Sequence, residues 1–167
     1  MSMSLEARAA ALVNPQSGIA NDYLNHFNEI LLLIENLPAL LPEMVEEIIA
    51  WKPVSYREYF ENSPLPGSKE ALEIYESLDE AFRRDFEYMV YLLDKIVLHS
   101  INIVMQNRLP DGTINPDGIS GICEQLALAM RAVLDRTADL VNFGYAPPLE
   151  KPQEMADRIL SATPGEH

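Results

Sequence analysis

The sequence predicts an all-α, single-domain helical bundle with three long helices and several short ones. Apolar residues recur at spacings of three and four, the helical period, along most of the chain. No segment alternates apolar and polar residues as a half-buried strand does. The length of 167 residues, with 48% hydrophobic and 23% charged, suits one domain. Such a chain buries a core that needs no disulfide or metal support. The domain is expected to span residues 1–167, with frayed ends over 1–15 and 161–167.

Each element has a local reason. Leu5 to Val13 reads as a short, Ala-rich first helix that Asn14-Pro15 ends. The next helix is expected from about Gly18 to Asn36, because Ile19, Tyr23, Phe27, Ile30, Ile34 and Leu37 share one face. Pro38 limits it. Pro42 suits the first turn of a short helix, Glu43 to Trp51, with Met44, Val45, Ile48 and Ile49 on one side. Lys52-Pro53 stops that element, and Ser55-Tyr-Arg-Glu58 reads as a capping box opening a brief helix. Residues 62–67, Asn-Ser-Pro-Leu-Pro-Gly, carry turn chemistry.

Lys69 to Ser77 forms a two-turn helix, and Ser77-Leu-Asp79-Glu80 signals the next start. From there Phe82, Phe86, Met89, Leu93, Ile96, Ser100 and Ile103 mark one stripe to about Arg108. That helix, roughly 45 Å long at 1.5 Å per residue, is the expected spine of the fold. Residues 109–118 hold two Asp-Gly steps and connect it to the last long helix, Ile119 to Phe143. Ile122, Leu126, Ala129, Val133, Thr137 and Leu140 mark that helix's buried stripe. Gly144 caps it, and Pro147-Pro148 prevents continuation. A short helix near Gln153 to Leu160 completes the reading.

Charge excludes some partners. The chain carries 26 acidic and 12 basic residues, a formal net charge of −14. Nucleic-acid binding needs clustered Lys and Arg to neutralise phosphates. Arg83-Arg84 is the only adjacent basic pair, and Asp85 and Glu87 follow it. Nucleic acids and anionic membranes are therefore disfavoured, whereas a basic partner protein is compatible. The N-terminus lacks a signal-peptide pattern, since Glu6 and Arg8 interrupt any apolar run. No stretch is expected to supply the ~20 apolar residues that span a bilayer. The lone cysteine, Cys123, cannot form an internal bridge. Cytoplasmic placement is the expectation.

The densest chemistry lies in Asn21 to Ile34, polar in its first half and hydrocarbon in its second. Asp22, His26 and Glu29, at i, i+4 and i+7, fall within about 60° on a helix. Two carboxylates and an imidazole on one face could form half of a metal site. Helical bundles build di-iron centres from Glu-x-x-His pairs and further glutamates on facing helices. Here the order is reversed and occurs once. His99 is the best second-helix ligand, with Glu87, Asp94 and Glu124 as further partners. A divalent or di-iron metal is thus the alternative cofactor, the first expectation being none.

The same angles place this stripe roughly 100° from the core face, where solvated residues sit. Leu32 and Leu33 continue the positions of Asn25 and Asp22, so full exposure of the stripe would expose them too. The Ile30–Ile34 segment is therefore expected to pack deeply or to join a homodimer. Trp51, Tyr56, Tyr59 and Phe60 form the densest aromatic patch, and such residues anchor interfaces as well as core edges. The expected interface residues are Leu32, Leu33, Trp51, Tyr56 and Tyr59. Asn25-His26-Phe27-Asn28 faintly resembles the Asn-Pro-His-Phe run around the phosphoacceptor of sensor histidine kinases. It lacks the proline, and no ATP-binding motif follows.

Other motifs fail on chemistry. Thr113 to Glu124 fits a calcium-loop register with Asn115, Asp117, Gly118 and Glu124, but Thr113 replaces the first carboxylate. Cys123 near a helix start could have a lowered thiol pKa, yet no His lies nearby in sequence. There is no phosphate loop, no G-x-S-x-G elbow, no H-E-x-x-H and no C-x-x-C. The expected function is that of a small acidic interaction or regulatory protein without catalytic residues. The alternative is a metal-dependent bundle, an oxidoreductase or hydrolase, using Asp22, His26, Glu29 and His99.

Overall fold

A computed structural model describes residues 12–37 and 39–145. The expected helices at Leu5 to Val13 and Gln153 to Leu160 lie wholly or mostly outside this range, as do most of the expected frayed ends. Among the described residues the protein is all-α, with one isolated antiparallel bridge between Arg108 and Ile114. A 3₁₀ turn, Asn21–Leu24, leads directly into α1, Asn25–Glu35. Then follow α2 (Pro42–Ala50), α3 (Tyr56–Glu61), α4 (Ser68–Ser77), α5 (Glu80–Gln106) and α6 (Pro116–Phe143).

The boundaries follow the local signals closely. Ser55 Oγ accepts from the Glu58 amide at 3.1 Å, closing the predicted cap of α3. Asp79 caps α5 by accepting from the Phe82 amide at 3.2 Å. Pro42 and Pro116 occupy first-turn positions, where a missing N–H costs nothing. Gly144 adopts φ 79°, the left-handed conformation that ends α6.

The predicted first long helix is shorter than expected. Only 11 residues are α-helical, and its opening turn is the tighter 3₁₀ form. The Tyr59 hydroxyl lies 3.2 Å from the Asp22 carbonyl, which the Asn25 amide also uses. A tertiary donor thus competes at the turn that would otherwise extend α1. Among the described residues there are therefore two long helices, of 27 and 28 residues, and a shorter third of 11.

Helices α5 and α6 form the central pair, with α1 laid against both and α2 against α5. Helices α3 and α4 pack together as a smaller hairpin. The predicted core faces are buried: Tyr23, Phe27, Ile30 and Ile34 before and along α1, and Phe86, Leu93, Ile96 and Ile103 on α5. Leu126, Ala129, Val133 and Leu140 do the same on α6. The two polar side chains inside these stripes are satisfied locally. Ser100 donates to the Ile96 carbonyl at 2.8 Å, and Thr137 to that of Val133 at 2.7 Å.

The α5–α6 turn also settles the calcium-loop reading. Asn115 accepts from the Asp117 amide at 3.1 Å and caps α6, so Pro116 to Gly118 is helix rather than loop. A Cβ on Gly118 would lie 2.2 Å from Asn107 Oδ1. A larger residue here would have to displace the Asn107 side chain at the end of α5.

Candidate functional site

The polar stripe of Asp22, His26 and Glu29 does not converge on a ligand. The Tyr59 hydroxyl donates to Asp22 Oδ2 at 2.7 Å. The His26 ring stacks on Trp51 at 4.6 Å between centroids and 20° between planes. The Trp51 indole N–H donates to the His26 carbonyl at 3.2 Å. Glu29 is exposed. His99 lies on α5 in an open depression that no α1 residue lines. Among the described residues no group of three or more His, Cys, Asp or Glu side chains is placed to hold a metal ion. Asp22 lies in the 3₁₀ turn ahead of α1, not on the α-helix with His26 and Glu29, and tertiary contacts turn Asp22 and His26 toward aromatic partners. Burial lowers the His26 pKa, partly offset by a backbone hydrogen bond with Lys52. Its buried Nε2 is poorly placed for phosphate transfer.

The expected interface residues divide. Tyr56 is only 4% exposed, and its hydroxyl accepts from the Ala20 amide at 3.0 Å. It is a core residue, because α3 folds back across the start of the first helix. Trp51 and Tyr59 are half-buried in the corner with His26 and Asp22. Leu33 packs against the protein's own core. Leu32 is 59% exposed. Deep packing thus accounts for Ile30, Leu31 and Ile34, and among the described residues no element covers Leu32.

Cys123 sits two turns inside α6, since that helix begins at Pro116. It is buried, and burial pushes its thiol up to about 11, against the lowering that a helix start would give. It helps floor a groove between α1 and α6 with Ile34, Leu37 and Ala127, closed at one side by the Glu35–Arg131 ion pair.

The cavity with convergent polar groups is elsewhere. A cleft of about 470 Å³ opens between the α3–α4 hairpin and α5. Its floor is aromatic. Tyr56 and Tyr75 stack at 4.2 Å and 29°, and Phe86 meets Tyr56 edge-on at 5.8 Å. Its walls carry Glu58, Glu87 and Asp94, together with Arg57 and Arg83. Both arginines are already engaged: Arg57 pairs with Glu76 at 3.0 Å, and Arg83 donates to the Glu76 carbonyl at 3.3 Å. Tyr75 donates to Glu87 at 2.7 Å.

Asp94 is the unsatisfied member. It is half-buried, and its Oδ1 is enclosed without a hydrogen-bond partner among the described residues. Burial raises its carboxyl to about 6. Asp94 and Glu58 both act on Tyr23, whose hydroxyl burial and these two charges push well above its ordinary range. The two carboxylates therefore project negative potential into one place. Such a cavity, with an apolar floor and a perturbed acid, is the default binding site of a fold.

Sequence reasoning placed Glu87 and Asp94 only as accessory metal partners and missed Tyr75, Arg83 and Glu58. One signal was present. Asp94 is the only acidic residue between Tyr88 and Gln106, a run that is mostly apolar. That run also departs from expectation, because α5 is long and apolar enough by length and composition to cross a membrane, with half of the qualifying window buried in the fold. No protein-family model, curated protein or solved structure matches the chain, so its function rests on the geometry of its own residues.

Proposed function

We propose that the protein is a non-enzymatic interaction module that receives a basic side chain of a partner protein in the cleft beside Asp94. The observation that carries this reading is the half-buried Asp94 carboxylate, left without a partner over an aromatic floor. Burying a carboxylate costs free energy, and the charge of a lysine or arginine bound in the cleft beside Asp94 would offset part of that cost. Glu58 adds a second negative group, and the cleft's own arginines are committed to Glu76. The Lys95 ammonium already rests 5.5 Å from the centre of the Tyr91 ring at the cleft mouth, so tyrosine faces there accept cations. The overall charge of −14 would attract a basic partner from a distance.

Calorimetric titration of the full chain with blocked tripeptides centred on lysine, arginine or glutamate tests the reading. The basic peptides should saturate one site, and added salt should weaken them. Asp94→Asn should weaken binding about tenfold or more, the loss of one charge-assisted contact. Equal binding of the glutamate peptide, no saturable binding, or an unaffected Asp94→Asn variant would reject it.

A further inference from the structure

The groove between α1 and α6 is an apolar trough that the described residues leave open. Ile34 and Leu37 line one side and Cys123, Ala127 and Leu128 the other, around a volume of about 370 Å³. Leu128 stands 67% exposed at its rim. The two ends are charged. Arg131 pairs with Glu35 at one, and Glu124 is exposed at the other, seven residues nearer the start of α6.

The chain beyond α6 is placed and sized to reach this trough. Helix α6 ends at Phe143. Back along its axis, Arg131 lies about 18 Å from that end and Glu124 about 28 Å. Residues 146–152 read Ala-Pro-Pro-Leu-Glu-Lys-Pro, three prolines among seven. Such a stretch favours extended polyproline geometry, about 3.1 Å per residue, and spans about 22 Å. That length carries Gln153 to the Arg131 end of the trough and falls short of the Glu124 end. The only direction open to the following residues is therefore opposite to that of α6.

Residues 153–160 match the trough in length, pattern and charge. As a helix, Gln153 to Leu160 would cover about 12 Å, the same rise as from Arg131 to Cys123. Met155, Ala156, Ile159 and Leu160, at i, i+1, i+4 and i+5, share one side of that helix. Running opposite to α6, it brings Glu154 to the Arg131 end and Arg158 to the Glu124 end, so each charge meets its opposite. A helix this short is unstable alone in water. An apolar trough gains free energy when it is covered, and each therefore supplies what the other lacks.

We propose that Gln153 to Leu160 of the same chain form an amphipathic helix seated in the α1–α6 groove, its apolar side over Ala127 and Leu128. The short tether gives the segment an effective concentration on the order of millimolar at its own groove. At micromolar protein it prevails over the same segment of a second copy. This docking shares no residue with the cleft beside Asp94 and stands apart from the function of that cleft.

Hydrogen exchange of the full chain, read by mass spectrometry, tests the docking. The amides of residues 157–160, those bonded within such a helix, should exchange at least tenfold more slowly than in a free peptide of the same sequence. Leu128→Glu sets a charge in the trough and should return them to the free-peptide rate. The amides of α5 should keep their protection in this variant, because Leu128 is exposed. Ile159→Glu should release the segment from the other side. Protection should not change across micromolar concentrations. Free-peptide rates in the wild type overturn the proposal, and so does protection that survives Leu128→Glu. Protection lost on dilution would give the groove to a second copy's segment and overturn it too.

Discussion

The corner around His26 and the cleft around Asp94 are built from the same materials, tyrosines set beside carboxylates, and they end in opposite states. In the corner the polar groups largely satisfy one another. Tyr59 holds Asp22, Trp51 holds the His26 carbonyl, and Tyr23 donates to the Val54 carbonyl at 2.6 Å. In the cleft Tyr75 holds Glu87, but no described residue holds Asp94 Oδ1. A residue's chemical type therefore says little about its role until its partners are known. The corner's carboxylate and carbonyl acceptors are taken by internal donors, with His26 Nε2 the group left over, whereas the cleft leaves one oxygen of a carboxylate without a donor among the described residues.

Substitutions should separate the two regions by the size of their effects. Tyr23 is fully buried and meets Phe27, Tyr56, Tyr59 and Phe86 ring to ring. Tyr23→Ala should therefore destabilise the fold by about 3–5 kcal/mol in urea denaturation, as large aromatic truncations do. A loss under about 1 kcal/mol would show that the corner is not the structural anchor described here. Asp94→Asn should leave thermal stability level or raised while abolishing most peptide binding.

The pH dependence sharpens the contrast, because the two regions have opposite signs. Burial lowers the pKa of His26, and also that of His99. The unfolded imidazoles then take up protons first, so stability from both is present above about pH 6.5 and is lost as pH falls below it. Asp94 is raised to about 6, so the folded state takes up its proton first. Its contribution rises as pH falls through about 6 and is complete below about 4, on the order of 1 kcal/mol once solvent screening is allowed for. Denaturation at several pH values should show a steeper acid loss in Asp94→Asn and a shallower one in His26→Leu. Parallel curves for wild type and both variants would refute this assignment.

The smallest effect tests the corner's hydrogen bonding alone. Tyr59→Phe removes the donor to Asp22 while keeping the ring. It should cost about 1 kcal/mol by urea denaturation, the net worth of one such bond. A cost several times larger would mean that Tyr59 positions the 3₁₀ turn as well as holding the carboxylate.

Much of the fold was legible in the chain because its causes are local. Ser55 and Asp79 cap helices, Pro42 sits in a first turn, and Gly144 ends α6, each through contacts within a few residues, although α6 begins at Pro116, three residues before the expected Ile119. The stripes on α5 and α6 were legible because a 3.6-residue period is fixed by backbone geometry. The site was less legible. His26 and Asp94 each interrupt or border an apolar pattern, and that much could be read. Their fates could not, since Trp51 reaches His26 across 25 residues and Tyr59 reaches Asp22 across 37.

Among the described residues the sequence by itself determined which segments are helical, where most of them stop and which face of most of them is buried, though Met44 of the expected α2 face is exposed. Angle and capping are properties of a short stretch of chain, so no distant contact is needed to set them. Only the tertiary structure decided which polar groups are spent. It turned Tyr56 into core, gave Asp22 and His26 to aromatic partners, and left Asp94 enclosed without one. It also left Leu32 exposed while Leu33 beside it packs against the core. Satisfaction of a polar group and coverage of an apolar one depend on what lies opposite, and that is set by how the helices pack.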